Sequence, residues 1–363
     1  MKKKIYLTII LVAIVLIVGS GCISSDNKEI KSTVENGNKE TSDPVTTTSK
    51  ETSQQKFEAA VRPKVRANVN KDCGGTPWFV GQQKGFFEQA GVDFVDQGHL
   101  DWSLQPAALI SGQTDTAEGH PNTIINLLKE GAKVKGVVAS GDEPEGDVQH
   151  EHMHWLVLEN GNLKTTKDIL NSDKKIKIAV GALGICSDIE TNEWLRKNEI
   201  SKDKVEIVVM PDPQQEQALR QGLIDIAVLH PPFYTAAEEH GKVSVITSSK
   251  QVFGDAAGLS LLYFTEDFIK NNPDTVRKFI RGFKNGERWS NDNPNESAAI
   301  TAKEIGLEKS TTHYYSYTGV IDEQKIQKWI DAMVKDGLIK PGEFKPSDIY
   351  TDKFKDEWLS TTK

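Results

Sequence analysis

The stretch AALISGQTDTAEGHP, residues 107–121, returns 110 positions later inside QALRQGLIDIAVLHPPF, residues 217–233. Seven residues recur at that one offset: Ala108 with Ala218, Leu109 with Leu219, Gly112 with Gly222, Asp115 with Asp225, Ala117 with Ala227, His120 with His230 and Pro121 with Pro231. Each has a physical reading. The Ala-Leu pair ends a helix, the Gly serves its C-terminus, the Asp opens a strand, and the Pro after His starts the next helix, where a missing N–H costs nothing. Two halves of one design are expected, each presenting a His at the carboxyl end of a strand.

Working outward, Val65–Val69, Val92–Val95, Thr114–Gly119 and Val134–Ser140 are short apolar runs separated by helical stretches. After the apolar strand Trp155–Leu158 the series restarts with Ile176–Val180, Val205–Met210, Asp225–His230 and Val243–Thr247. Such alternation predicts parallel sheets covered by helices. Gly258–Phe264 reads as a strand returning from the second half. Two later stripes, Val276, Phe279, Ile280 and Phe283, then Ile326, Trp329, Ile330, Met333 and Val334, have the 3–4 spacing of helices that bury one face.

The 363 residues are 37% hydrophobic, enough for two cores. Lys and Arg number 44 against 52 Asp and Glu; the first 21 residues hold three Lys and no acid, so the remainder has 41 against 52, a charge of −11. A broad nucleic-acid surface is not expected of such a chain. Three Cys without a CxxC pair exclude a disulfide scaffold and a zinc ribbon.

Residues 1–21 read as a signal peptide: Lys2, Lys3 and Lys4, an apolar run from Ile5 to Gly19, then Ser20 and Gly21. The run is shorter than the ~20 residues that span a bilayer comfortably. Its ending, Gly19-Ser20-Gly21-Cys22, resembles a lipoprotein processing site, so Cys22 is expected to carry a lipid; an uncleaved signal anchor is the alternative. Residues 22–57 are almost wholly polar, a disordered linker with a reach on the order of 30 Å. The body is therefore expected outside the cytoplasm, tethered to a membrane.

The stretches GTPWFVGQQKGFFEQAGVDF (75–94), AALISGQTDTAEGHP, LKTTKDILNSDKKIKIAV (163–180), QALRQGLIDIAVLHPPF and NNPDTVRKFIRGFKNG (271–286) together resemble the nitrate/sulfonate/taurine group of ABC-transporter solute-binding proteins. The resemblance implies a two-lobed α/β fold of the type II periplasmic-binding-protein kind, each lobe a mainly parallel sheet flanked by helices with a cleft between. Residues 58–158 and 252–363 would form one lobe and 159–251 the other. It implies a small solute, a sulfonate, nitrate, taurine or related anion, delivered to an ABC permease with its ATPase subunit. No cofactor is implied. The group shares its fold with enzymes that make the thiamin pyrimidine, but their Cys-rich motif is missing; Gly184-Ile185-Cys186-Ser187 holds one thiol. HExxH, GxSxG and P-loop patterns are also missing, so no enzyme is expected.

In open α/β sheets the ligand sits beyond the carboxyl ends of the strands, where helix N-termini offer unpaired N–H donors. Those positions are Gly75, Thr76 and Asn122 in one lobe and Gly184 and Ser187 in the other, with simple helix capping as the alternative for Thr76 and Ser187. Trp78, Trp102 and Phe233 lie close enough in sequence to wall a pocket. His99, His120 and His230 follow strands immediately, and Cys73 and Cys186 lie in the loops after the first strand of each series. As pseudo-symmetric donors they suggest a second solute class, a transition metal or metal chelate. His150, His152 and His154 alternate just before an apolar strand, and in an extended chain would share one face as a further metal candidate.

Overall fold

The computed structural model describes residues 61–100, 104–143 and 150–358. The signal peptide, Cys22, the 22–57 linker and Trp102 lie outside the described residues. The apolar runs become strands within one or two residues of the expected limits. β1 (Lys64–Ala67) pairs in parallel with β2 (Asp93–Asp96). β3 (Thr116–Gly119), β4 (Val134–Gly141) and the late strand β10 (Ser260–Thr265) form a three-stranded sheet in the order β3-β10-β4. β5 (His154–Leu158), β6 (Ile176–Val180), β7 (Val205–Val209), β8 (Ile226–Leu229) and β9 (Val243–Ser248) form a five-stranded sheet, ordered β7-β6-β8-β5-β9.

The sheets are mixed rather than mainly parallel, for a topological reason. β6 runs parallel to β7 and β8, as alternating strands and helices demand. The chain also crosses from one lobe to the other and back. The strand that enters each lobe, β5 in one and β10 in the other, runs antiparallel to both of its neighbours.

Both predicted helical stripes are buried. In the helix Pro273–Asp292, Val276, Phe279, Ile280 and Phe283 face inward, and Trp78 packs against Phe279 and Phe283 with centroids 5.7 and 4.8 Å apart. In the helix Glu323–Lys335, Ile326, Trp329, Ile330 and Met333 are buried and Val334 partly so. No helix among the described residues is long and apolar enough to cross a membrane.

Where the two crossings meet, backbone touches backbone. A Cβ on Gly258 would lie 2.3 Å from the Asp142 carbonyl oxygen, and one on Gly141 would lie 2.3 Å from that of Gly258. Only glycine permits this approach. The contact holds the segment leaving β4 against the segment entering β10.

Candidate functional site

The cleft narrows to a cavity of about 70 Å³ whose wall includes His120, His152, Cys186, His230 and His313. At roughly 10–15 Å³ of such space per water molecule, this is room for several waters or one small solute.

The internal repeat places two of these imidazoles. His120 directly follows β3 and Pro121 begins the next helix; the His120 Nδ1 lies 2.6 Å from the Leu259 carbonyl oxygen. Nδ1 donates there, which leaves Nε2 on the side of the ring away from Leu259. His230 directly follows β8, and its backbone N–H and Nδ1 both reach Asp212 Oδ2, at 3.0 and 2.7 Å. Its Nε2 faces the Cys186 sulfur in hydrogen-bond contact at 3.3 Å. Cys186 is the first residue of the helix Cys186–Lys197, where the helix dipole favours a thiolate.

His152 sits at the centre. Its ring lies edge-on to His120 at 4.7 Å and to His230 at 4.8 Å, with His313 at 5.9 Å. His152 and His313 are buried, and neither ring nitrogen of either has a hydrogen-bond partner among the described residues. One donor atom each from His120, His152 and Cys186 falls within 4.8 Å of the others.

The electrostatics follow from packing. Burial raises the Cys186 thiol, but His230 and His120 outweigh it and bring the thiol down to about 6. Burial lowers His230, yet Cys186 and Asp212 overcome this and hold it well above its usual range. Burial and the neighbouring imidazoles push His152 well down and His313 to about 3, so both rings stay neutral. Acids complete the wall. Burial raises Asp72 to about 6 and also raises Glu118, which accepts hydrogen bonds from Trp78 Nε1 and Ser260 Oγ.

Of the positions singled out from sequence, Cys73, His120, Cys186, His230 and His152 line the cavity. Asn122 has another role: its Nδ2 donates to the Gly184 carbonyl at 2.7 Å, a direct bond from one lobe to the other. The rest are not brought to the cavity. Gly75 packs so closely that a Cβ would lie 2.2 Å from the Asn70 oxygen. Thr76 is buried against Thr301, and Ser187 Oγ accepts the Gly181 N–H. Trp78 is core, supporting the wall only through Glu118. Phe233 packs on the apolar cluster behind β8, and His99 is exposed.

His150, His152 and His154 do not share a face, because β5 begins only at His154 and the chain turns before it. His154 leaves the cavity to stack on Tyr234 at 4.0 Å, its nitrogens 2.7 Å from Glu238 and 3.4 Å from Glu151. Sequence reasoning missed Asp72, Glu118 and His313. Only Glu118 carried a signal, lying two residues before His120 on the strand the repeat had already found.

The chain belongs to the NMT1/THI5-like family, whose model matches residues 74–297. Its fold is that of the type II periplasmic binding proteins. It is similar to the ligand-binding component of an ABC-type import system from Staphylococcus aureus solved with zinc bound, at 14% identity and a TM-score of 0.65, over 82% of this chain and 99% of that one. It is similar to the periplasmic aliphatic sulphonate-binding protein of Escherichia coli at 18% identity and a TM-score of 0.64, over 80% and 92%. The periplasmic nitrate-binding protein of Synechocystis PCC 6803 follows at 11% identity and 0.66, over 82% and 88%.

Proposed function

We propose that this protein is the extracytoplasmic solute-binding component of an ABC importer and that its solute is a transition-metal ion, held between the lobes by His120, His152, Cys186 and His230. The observation that carries the reading is the convergence of these donors on one cavity, with the buried His152 ring left unpartnered among the described residues. An imidazole buried without a partner costs free energy that a bound ion returns. Thiolate plus imidazoles is the donor set of borderline-soft metals.

A tetrahedral ion with bonds of about 2.1 Å to nitrogen and about 2.3 Å to sulfur holds those atoms about 3.5 Å apart; Cys186 and His230 stand at 3.3 Å, and the donors of His120, His152 and Cys186, within 4.8 Å of one another, would be drawn in by the ion. Sulfonate, nitrate and taurine fit less well. The lining residues include Asp72 and Glu118 but no Lys or Arg, so an anion would meet carboxylates. The zinc in the Staphylococcus aureus neighbour agrees with a metal.

In this account Cys22 carries the lipid that holds the protein at the membrane beside the permease and its ATPase subunit. The two lobes, one built on β1–β4 and β10 and the other on β5–β9 rather than divided after residue 158, close on the ion and part at the permease. The role is binding without turnover. A thermal-shift panel tests it: Zn²⁺, Co²⁺ or Ni²⁺ should raise the unfolding temperature of metal-free protein by several degrees, while nitrate, taurine and an alkanesulfonate should not. Stabilisation by an anion alone would overturn the metal reading.

A further inference from the structure

His313 stands outside the repeat and outside every motif in the sequence, yet it faces the same cavity. It comes from an irregular strap fixed to the first lobe on both sides. Tyr315 exchanges hydrogen bonds with Asn291 through its N–H (3.1 Å) and its carbonyl (2.8 Å). The Ser316 N–H donates to the Ser140 carbonyl, and the Tyr315 hydroxyl donates to the Cys73 carbonyl at 2.6 Å. The imidazole is thus held in place on a rigid support, buried, with both nitrogens unpartnered. A side chain that needed only to fill space there would not carry two polar atoms.

Ring positions show what it is for. With a metal–nitrogen bond of about 2.1 Å, an imidazole centroid lies about 3.2 Å from the ion. Two such rings are then about 4.5 Å apart at a 90° angle, about 5.5 Å at 120° and about 6.4 Å when opposite. The observed 4.7 and 4.8 Å from His152 to His120 and His230 correspond to near-right angles, and the 5.9 Å to His313 to a wider one. Each of these distances, all taken from His152, is one that two rings on a single ion can show; His313 stands outside the His120, His152 and Cys186 group whose donor atoms lie within 4.8 Å of one another, and would move inward to join it.

We propose that His313 is a fifth ligand of the ion, so that four imidazoles and the Cys186 thiolate form a five-coordinate site that selects divalent ions accepting more than four ligands, Co²⁺ or Ni²⁺, over Cu⁺. This rests on the metal reading above and narrows its cargo. The first lobe then supplies His120 and His313, the second Cys186 and His230, and the crossing segment His152. Neither lobe alone holds more than two donors, so the ion itself links them.

Cobalt spectroscopy tests this, because tetrahedral Co²⁺ absorbs several-fold more strongly in the visible than five-coordinate Co²⁺, and a thiolate ligand adds a separate near-ultraviolet band. Wild-type protein loaded with Co²⁺ should show the thiolate band with weak visible absorption. His313→Ala should keep the thiolate band, gain visible intensity, and bind Co²⁺ about tenfold or more weakly; His313→Gln, which keeps bulk and polarity, guards against loss of fold by matching wild-type circular dichroism. A thiolate band with visible intensity and affinity unchanged in both variants would overturn the His313 assignment alone. No thiolate band in the wild type would overturn the metal reading itself.

Discussion

The Cys186 sulfur lies 3.3 Å from His230 Nε2, and the opposite nitrogen of that ring is held at 2.7 Å by Asp212. Carboxylate, imidazole and thiol stand in line, so Asp212 fixes which His230 nitrogen faces the cavity. Asp212→Asn retains the shape but lets the ring turn or change tautomer. Metal affinity should fall about 10–100-fold with little change in unfolding temperature. Competition against a chromophoric chelator reads this; wild-type affinity would mean His230 is no ligand.

Asn122 joins the lobes through a single hydrogen bond to the Gly184 carbonyl. Asn122→Ala removes that bond without touching a donor to the ion. A net hydrogen bond of about 0.5–1.5 kcal/mol predicts a several-fold loss of metal affinity, expressed as faster dissociation. Stopped-flow release into excess chelator measures it, and an unchanged rate would show that the bond does not hold the closed form.

Burial raises the Glu143 carboxyl to about 8, and its Oε2 has no hydrogen-bond partner among the described residues. In the unfolded chain the same group ionises near 4.5. The unfolded state therefore loses its proton first, and the stability of the fold declines as pH rises from 4.5 toward 8, levelling above. Glu143→Gln removes this decline. The variant should gain about 2–4 kcal/mol on the wild type between pH 5 and 8, as urea unfolding at each pH would show; a constant difference across that range would contradict the buried neutral acid.

Gly258→Ala would place a methyl 2.3 Å from the Asp142 oxygen, where backbone must give way. A loss of about 1–3 kcal/mol is expected. Because the strain falls on the paired crossings beneath His152, metal affinity should fall with stability. Unaltered denaturant midpoint would show that the crossings are free to separate.

Much of this arrangement is legible in the chain. The offset of 110 residues locates His120 and His230 because a strand end followed by Pro is a local pattern that two halves must repeat. Cys186 follows from its place after the first strand of the second series. The role of His154 was not legible, since strict alternation assumes an extended chain and the turn before β5 depends on contacts with Glu143 and Ser249. Thr76 and Ser187 occupy the expected helix starts, but which way a side chain points there is settled by packing against Thr301 and Gly181. His313 could not be found at all, because an irregular strap has no period and its neighbours lie about 160 residues earlier.

X-ray absorption at the zinc edge of protein loaded with one equivalent of Zn²⁺ tests the central claim most directly. The account predicts one sulfur at about 2.3 Å and a shell of imidazole nitrogens at about 2.0–2.1 Å, with the sulfur lost in Cys186→Ala. A shell of oxygen and nitrogen without sulfur, or metal that washes away before measurement, would contradict it.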